Sequence, residues 1–223
     1  MADKTIIFYT ANRESRPLAR LVQETLLEAA CGLPVISVSQ KPIDFGQNIC
    51  VGDVGFSGHN SVRQVLIGCM EAKTRYIALA EADCLYPKEH FEYVPASDRI
   101  FWYDRNVWIL NEYGFRECRK TSIAGIIVGR KKIIRSINKS LANRELWYRE
   151  DTRKNLPKAY KKHGWHSCWT KNPIVMIDHK NGLHERHEMS AGENKYFREI
   201  STGIVDELYP WGKAEDIWDK VKE

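Results

Sequence analysis

The chain has 223 residues, 43% of them apolar and 28% charged, with a formal net charge of +5. That length supports one domain with a sizeable core and no need of metal or disulfide staples, and the composition excludes a disordered chain, a collagen-like repeat and a disulfide mini-scaffold. No apolar run approaches the roughly 18 residues of a membrane span, and no signal-peptide core follows Met1, so a cytoplasmic protein with no membrane partner is expected.

Thr5–Thr10 reads as a buried first strand, Ala11–Pro17 as a polar turn, and Leu18–Ala30 as an amphipathic helix with Leu18, Leu21, Val22, Leu26 and Ala29 on one face. Gly32 ends the helix and Pro34–Ser39 forms a second strand, which makes a parallel βαβ unit. Residues 40–58 read as a long Gly-rich loop of the kind that carries function. A helix is expected over His59–Ala72 and a strand over Tyr76–Ala80, running into Glu81-Ala82-Asp83, with a helical turn after Pro87. Further strands are expected at Arg99–Tyr103, Val107–Leu110, Ser122–Val128 and Pro173–Ile177. Gly129-Arg130 opens a basic helix, and Ala214–Lys222 is a last short helix. No two of the six cysteines form a Cys-x-x-Cys pair, so zinc-ribbon and thioredoxin readings fail. Reduced, buried thiols are expected instead.

The net charge hides an asymmetry. Residues 116–162 hold 15 Lys and Arg against four Asp and Glu, which leaves the rest of the chain with 19 basic and 25 acidic residues. A basic block interleaved with aromatics suits a nucleic-acid surface, through phosphate attraction and base stacking. It equally suits a solvated helix face whose apolar stripe, Ile133, Ile134, Ile137 and Leu141, is core.

In an open α/β sheet, ligands sit beyond the carboxyl ends of the strands. Glu81 and Asp83 are placed there, and alternation along a strand sends both to one side and Ala82 to the other. Two such carboxylates can hold a hard divalent cation that also carries phosphate oxygens, or they can be two exposed acids in a turn. Beyond the late strand, Asp178-His179 opens a stretch with three histidines that lacks the spacing of a zinc helix.

The run from Gly58 to Pro87 resembles the GT-A glycosyltransferases, the nucleotide-sugar-dependent enzymes with a D-x-D motif. The helix with Asn60, Arg63, Gly68 and Ala72, followed by YIALAEADCLYP and His90-Phe91, carries the likeness. It is similar to family-2-like transferases, and most of all to small phage and metagenomic proteins that modify DNA bases. The likeness holds over residues 5–130 and is loose beyond them, and Glu81 stands where the first Asp of D-x-D would be. It implies an α/β fold of GT-A (Rossmann-like) type, a mixed, mostly parallel sheet flanked by helices. A single domain would span residues 1–223, with a nucleotide-sugar half at 1–115 and an acceptor half at 116–223.

The resemblance also implies roles. Tyr9, Thr10, Ala11, Asn12, Arg13, Asp44, Glu81 and Ala82 would bind the nucleotide sugar, with a UDP-sugar as donor. Asp83, Glu81 and His179 would hold Mn²⁺ or Mg²⁺, with His184 in reserve. An inverting transfer needs a carboxylate to take the acceptor proton, and Asp151 is the first candidate, Asp104 the second. The phage-like relatives point to a hydroxymethylated pyrimidine in DNA as acceptor, reached by extruding the base, and to the cytoplasm of an infected host. Lys131, Lys132, Arg135 and Lys161 would meet phosphates, and Trp147, Tyr148 or Trp165 would stack on the base. A polysaccharide or protein acceptor is the alternative, with a non-catalytic nucleic-acid-binding protein on a transferase fold as the rival from another class. A nucleotidyltransferase should carry a Gly-rich loop after its first strand, and ANRESRP has no Gly.

Overall fold

A computed structural model describes residues 3–118, 122–149, 159, 165–179 and 203–221. Its main layer is a seven-stranded sheet in the order β10-β6-β9-β4-β1-β2-β3. The strands are β1 (Lys4–Thr10), β2 (Val35–Ser39), β3 (Gln47–Cys50), β4 (Tyr76–Glu81), β6 (Phe101–Asp104), β9 (Ile126–Gly129) and β10 (Trp165–Cys168). β1 lies parallel to β2 and to β4, β2 to β3, and β6 to β10, while β9 runs antiparallel between β4 and β6. The expected βαβ unit is therefore present, with α1 at Arg16–Ala30. β1 and β2 are buried at every position, as strands covered on both faces must be.

Each face of the sheet has its own core. Ile6, Phe8, Ala78 and Ala80 pack with Leu18, Val22 and Leu26 of α1. Ile7, Val38, Ile77 and Leu79 pack with Val62, Val65 and Cys69 of α2 (Gly58–Glu71) and with Ile133 and Ile137 of α4 (Arg130–Leu141). Gly68 allows α2 to come this close, because a Cβ there would stand 2.7 Å from Ile7 Cγ2. α3 is the short helix Lys88–Glu92.

A second sheet, in the order β12-β8-β7-β11-β5, joins the α1 side of the core. Its strands are β5 (Cys84–Leu85), β7 (Val107–Asn111), β8 (Gly114–Glu117), β11 (Ile174–Ile177) and β12 (Ile204–Val205). A small hairpin, β13 (Glu207–Leu208) with β14 (Gly212–Lys213), leads into α5 (Ala214–Val221), which buries Ile217 and Val221. The division at residues 115 and 116 does not separate the sheets, since each draws strands from both sides of it.

Three expectations change. The loop over residues 40–58 contains β3, an edge strand with a mostly polar, half-exposed sequence that carries no clear alternation. The strand expected from Ser122 begins as a 3-10 turn at Ile123–Gly125. The cysteines divide: Cys69 and Cys84 are buried, but Cys31 and Cys50 are exposed. Among the described residues, no helix is long and apolar enough to cross a membrane.

Candidate active site at the strand ends

The carboxyl ends of β1, β2, β3 and β4 open on one side of the sheet, as their parallel register requires. Glu81 is the last residue of β4, and the buried Ala82 turns the chain so that Asp83 follows on the same side. One ligand atom from each of Glu81, Asp83 and Cys84 falls within 4.8 Å of the others. Burial and then the nearby Asp83 push the Glu81 carboxyl up to about 7, against a hydrogen bond from Tyr9. That bond runs from Tyr9 Oη to Glu81 Oε1 at 2.7 Å, across paired residues of β1 and β4. Two acids crowded in a half-buried place are a charge excess that a cation would relieve. Cys84 stays a thiol, because burial and the two acids hold its pKa well above the usual value. It donates to Asp83 Oδ1 at 3.3 Å.

The second sheet delivers the histidine. β11 pairs antiparallel with β5, and Ile177 N donates to Asp83 O at 2.7 Å. The chain leaving β11 therefore passes Asp83, and His179 Nε2 lies 4.0 Å from Asp83 Oδ2. Two carboxylates and an imidazole form a donor set of oxygens and one nitrogen, which fits Mn²⁺ or Mg²⁺ better than a thiophilic metal.

One member of the cluster was not anticipated. Glu14, in the turn after β1, accepts from Thr10 Oγ1 at 2.7 Å. Burial raises its pKa against that bond, with smaller opposing effects of Asp83, which raises it, and His179, which lowers it. Nothing in the polar turn ANRESRP singles it out from its neighbours.

The other expected nucleotide residues divide between framework and rim. Thr10 is buried, and its hydroxyl also accepts from Asn12 N at 2.7 Å. Asn12 has φ 57°, in the left-handed region that asparagine tolerates. Its Oδ1 accepts from Gln40 N and Lys41 N at 2.9 and 2.8 Å, tying the β1 turn to the end of β2. Ala11 is half-buried beside it. Arg13 is exposed and sets its guanidinium 4.3 Å over the Phe56 ring. Asp44 is not brought to the strand ends. It is exposed next to Phe45, whose carbonyl accepts from Ser37 Oγ in the middle of β2 and whose ring packs 4.8 Å from Phe8.

Asn60 builds the far wall. It is 1% exposed, and its Nδ2 donates to the carbonyls of Val54, Gly55 and Tyr148 at 2.7–2.9 Å, while Oδ1 accepts from Tyr148 N. Gly55, at φ 89°, lets the two segments touch, since a Cβ there would meet Arg149 Cα at 2.7 Å. Tyr148 packs edge-on against His59, and Trp147 lies 5.9 Å from the Arg63 guanidinium.

The basic helix starts away from the carboxyl ends of the strands. Arg130 N donates to Arg75 O, beside the amino end of β4, so α4 begins at the end of the sheet opposite Asp83. Twelve helical residues rise about 18 Å before the chain returns to Asn60. Lys131, Lys132 and Arg135 sit in the first turns, remote from the strand ends. Trp165 pairs with Phe101 at the start of β6 and shares that far end.

The structure does not offer Asp104 as a base. It is wholly buried, its Oδ2 held by His90 and Thr170 and its Oδ1 by the Asn106 and Thr170 amides. Burial alone would raise its pKa, but these hydrogen bonds outweigh burial and keep it lowered, a scaffold role. Asp151, Lys161 and His184 lie outside the described residues.

No protein-family model and no curated protein matches the sequence. Solved structures do. The chain is similar to S. aureus TarS in complex with UDP-GlcNAc at 13% identity and a TM-score of 0.54, covering 91% of this chain and 66% of that one. It thus spans just under two thirds of the TarS chain. A Drosophila β-1,4-galactosyltransferase 7, in complex with manganese, UDP-Gal and xylobiose, matches at 12% identity and 0.48, over 87% and 79% of the two chains. An inositol-1-phosphate CTP transferase from T. maritima matches at 12% and 0.45, over 92% and 98%. The likeness is one of fold: a GT-A-type mixed α/β architecture with a mostly parallel central sheet flanked by helices.

Proposed function

We propose that the chain transfers a sugar from a nucleotide diphosphate sugar, with UDP as the nucleotide, to a hydroxyl acceptor, and that it uses Mn²⁺ or Mg²⁺. The observation that carries this is the convergence of Glu81, Asp83 and His179 at the strand ends of a GT-A sheet. Asp83 and His179 would hold the cation, with Glu81 positioned by Tyr9. Bound there, the cation neutralises charge that grows on the departing diphosphate. Arg13, on the rim beside Phe56, meets the anionic donor as it enters. On an inverting route the acceptor oxygen bonds to the anomeric carbon, the bond to the diphosphate breaks with its electron pair, and a carboxylate takes the acceptor proton. Asp151 is the proposed base.

The charge of residues 116–162 suits an anionic polymer as acceptor, which the resemblance to phage-like transferases narrows to a hydroxymethylated pyrimidine in DNA. The described part of that block places Lys131, Lys132 and Arg135 about a helix length from Trp147 and Tyr148, so a nucleic acid would have to bridge that span. The transferase reading is tested by incubating the protein with UDP-, GDP-, CDP- and dTDP-sugars and Mn²⁺ and following nucleotide release. Release from a UDP-sugar is expected, reduced by chelation and at least about a hundredfold by Asp83→Ala. No release from any donor, under any metal, sinks the proposal.

A further inference from the structure

A cleft of about 630 Å³ opens between the β7–β8 turn, Asp206-Glu207 and the first turns of α5. That volume is in the range of small-molecule sites. Asn111 at its near edge ends β7. Asp178 N donates to Leu110 O, just as Ile177 N donates to Asp83 O, so Asp83, Asp178 and Asn111 follow one another across the ends of β5, β11 and β7. At the usual strand spacing, Asn111 is about 10 Å from Asp83. The cleft thus begins two strands from the proposed cation and belongs to the half of the fold that the nucleotide does not occupy.

Its walls have a definite chemistry. Tyr113 is 68% exposed, with Trp218 half-buried in the same lining. Glu112, Asp206, Glu207 and Asp219 add carboxylates, and Lys213 is balanced by Glu215 at 3.8 Å. The cleft is therefore strongly negative, although the chain as a whole is positive. Ring faces give an apolar platform with a negative quadrupole. Carboxylates accept short, strong hydrogen bonds from hydroxyls. A polyanion would instead meet mostly like charge, with Lys213, beside Glu215, the one cation among the described lining residues.

We infer that this cleft binds the acceptor, and that the acceptor is a saccharide without anionic groups, lying on Tyr113 and Trp218 with its hydroxyls on the carboxylates. The inference rests on the glycosyltransferase reading and selects among its acceptors: the carbohydrate hydroxyl rather than the DNA base.

The test uses the full chain with UDP-sugar and Mn²⁺, and offers uncharged gluco-, xylo- and chito-oligosaccharides of two to four units beside single-stranded DNA and heparin. Transfer to an uncharged oligosaccharide is expected. In Tyr113→Ala and in Glu112→Gln, the acceptor KM should rise at least tenfold while the dissociation constant for UDP stays within twofold. The retained UDP binding shows that the variants fold. Transfer confined to DNA or heparin overturns the inference, as does an acceptor KM unmoved by both variants. UDP binding with no saccharide accepted also overturns it, and leaves the donor site standing. Absence of UDP binding in the unmodified chain is a different result, which removes the transferase reading itself.

Discussion

At the scale of single residues, Glu81 governs how the site responds to pH. Its carboxyl is pushed up to about 7 by burial and by Asp83, from an ordinary value of 4.5. Between those values the folded protein keeps a proton that the unfolded chain has lost, so the metal-free protein loses stability as pH rises through that window. A cation must displace the same proton. Below about pH 7 the apparent Mn²⁺ affinity should therefore fall by up to about tenfold per pH unit, as calorimetry at pH 5.5, 6.5 and 7.5 would show. Glu81→Gln should flatten that profile; a pH-independent affinity in the unmodified protein contradicts the assignment. The strand-end places of Glu81 and Asp83 were legible because the apolar pattern marks β4 clearly, whereas His179 was singled out by the GT-A resemblance. Glu14 was not, because nothing in a polar turn tells which of its side chains points inward. Asp104 misled for the converse reason, since burial and its His90 and Thr170 partners come from segments far apart in the chain.

At the scale of elements, the wall between the loop before α2 and the segment after α4 hangs on one side chain. Asn60 satisfies three carbonyls and one amide across 88 residues of sequence at its widest. Asn60→Ala leaves these groups without partners and should cost about 3 kcal/mol in denaturant unfolding. UDP affinity should fall with it, because the loop carrying Phe56 loses its anchor; a loss below about 1 kcal/mol would show that the wall is held by other contacts. The helices were readable but not their caps: the apolar stripe places the first helix from Leu18, while α1 runs from Arg16. α1 starts two residues before the apolar stripe because Ser15 Oγ accepts from Leu18 N at 3.2 Å. β3, β5 and β10 were not readable. They are short or lie at sheet edges, and partners from elsewhere in the chain hold them, not an alternating pattern of their own.

At the scale of the molecule, charge is sorted by place. α4 carries Lys131, Lys132 and Arg135 at one end of the main sheet, and the carboxylate-lined cleft lies at the other. Lys131→Glu with Arg135→Glu should weaken binding of duplex DNA, measured at 50 mM salt, by about tenfold or more. UDP affinity should stay within twofold, and a matched fall in both would place the basic helix at the donor site after all. The sequence contained the charge asymmetry but not its geometry, because β9 reverses direction and carries α4 away from the strand ends. The cleft was hidden for a similar reason: residues 111–114 and 206–219 are distant in sequence and are brought together by the pairing of β12 with β8. The central claim is a metal-dependent nucleotide site built on Asp83. It is tested most directly by thermal unfolding with UDP, with and without Mn²⁺, in the unmodified protein and in Asp83→Asn. UDP at about a hundred times its dissociation constant adds roughly 3 kcal/mol, an upward shift on the order of 5 °C or more. The account predicts that shift only with Mn²⁺ and only with Asp83 in place. An equal shift in Asp83→Asn, or none in the unmodified protein, contradicts it.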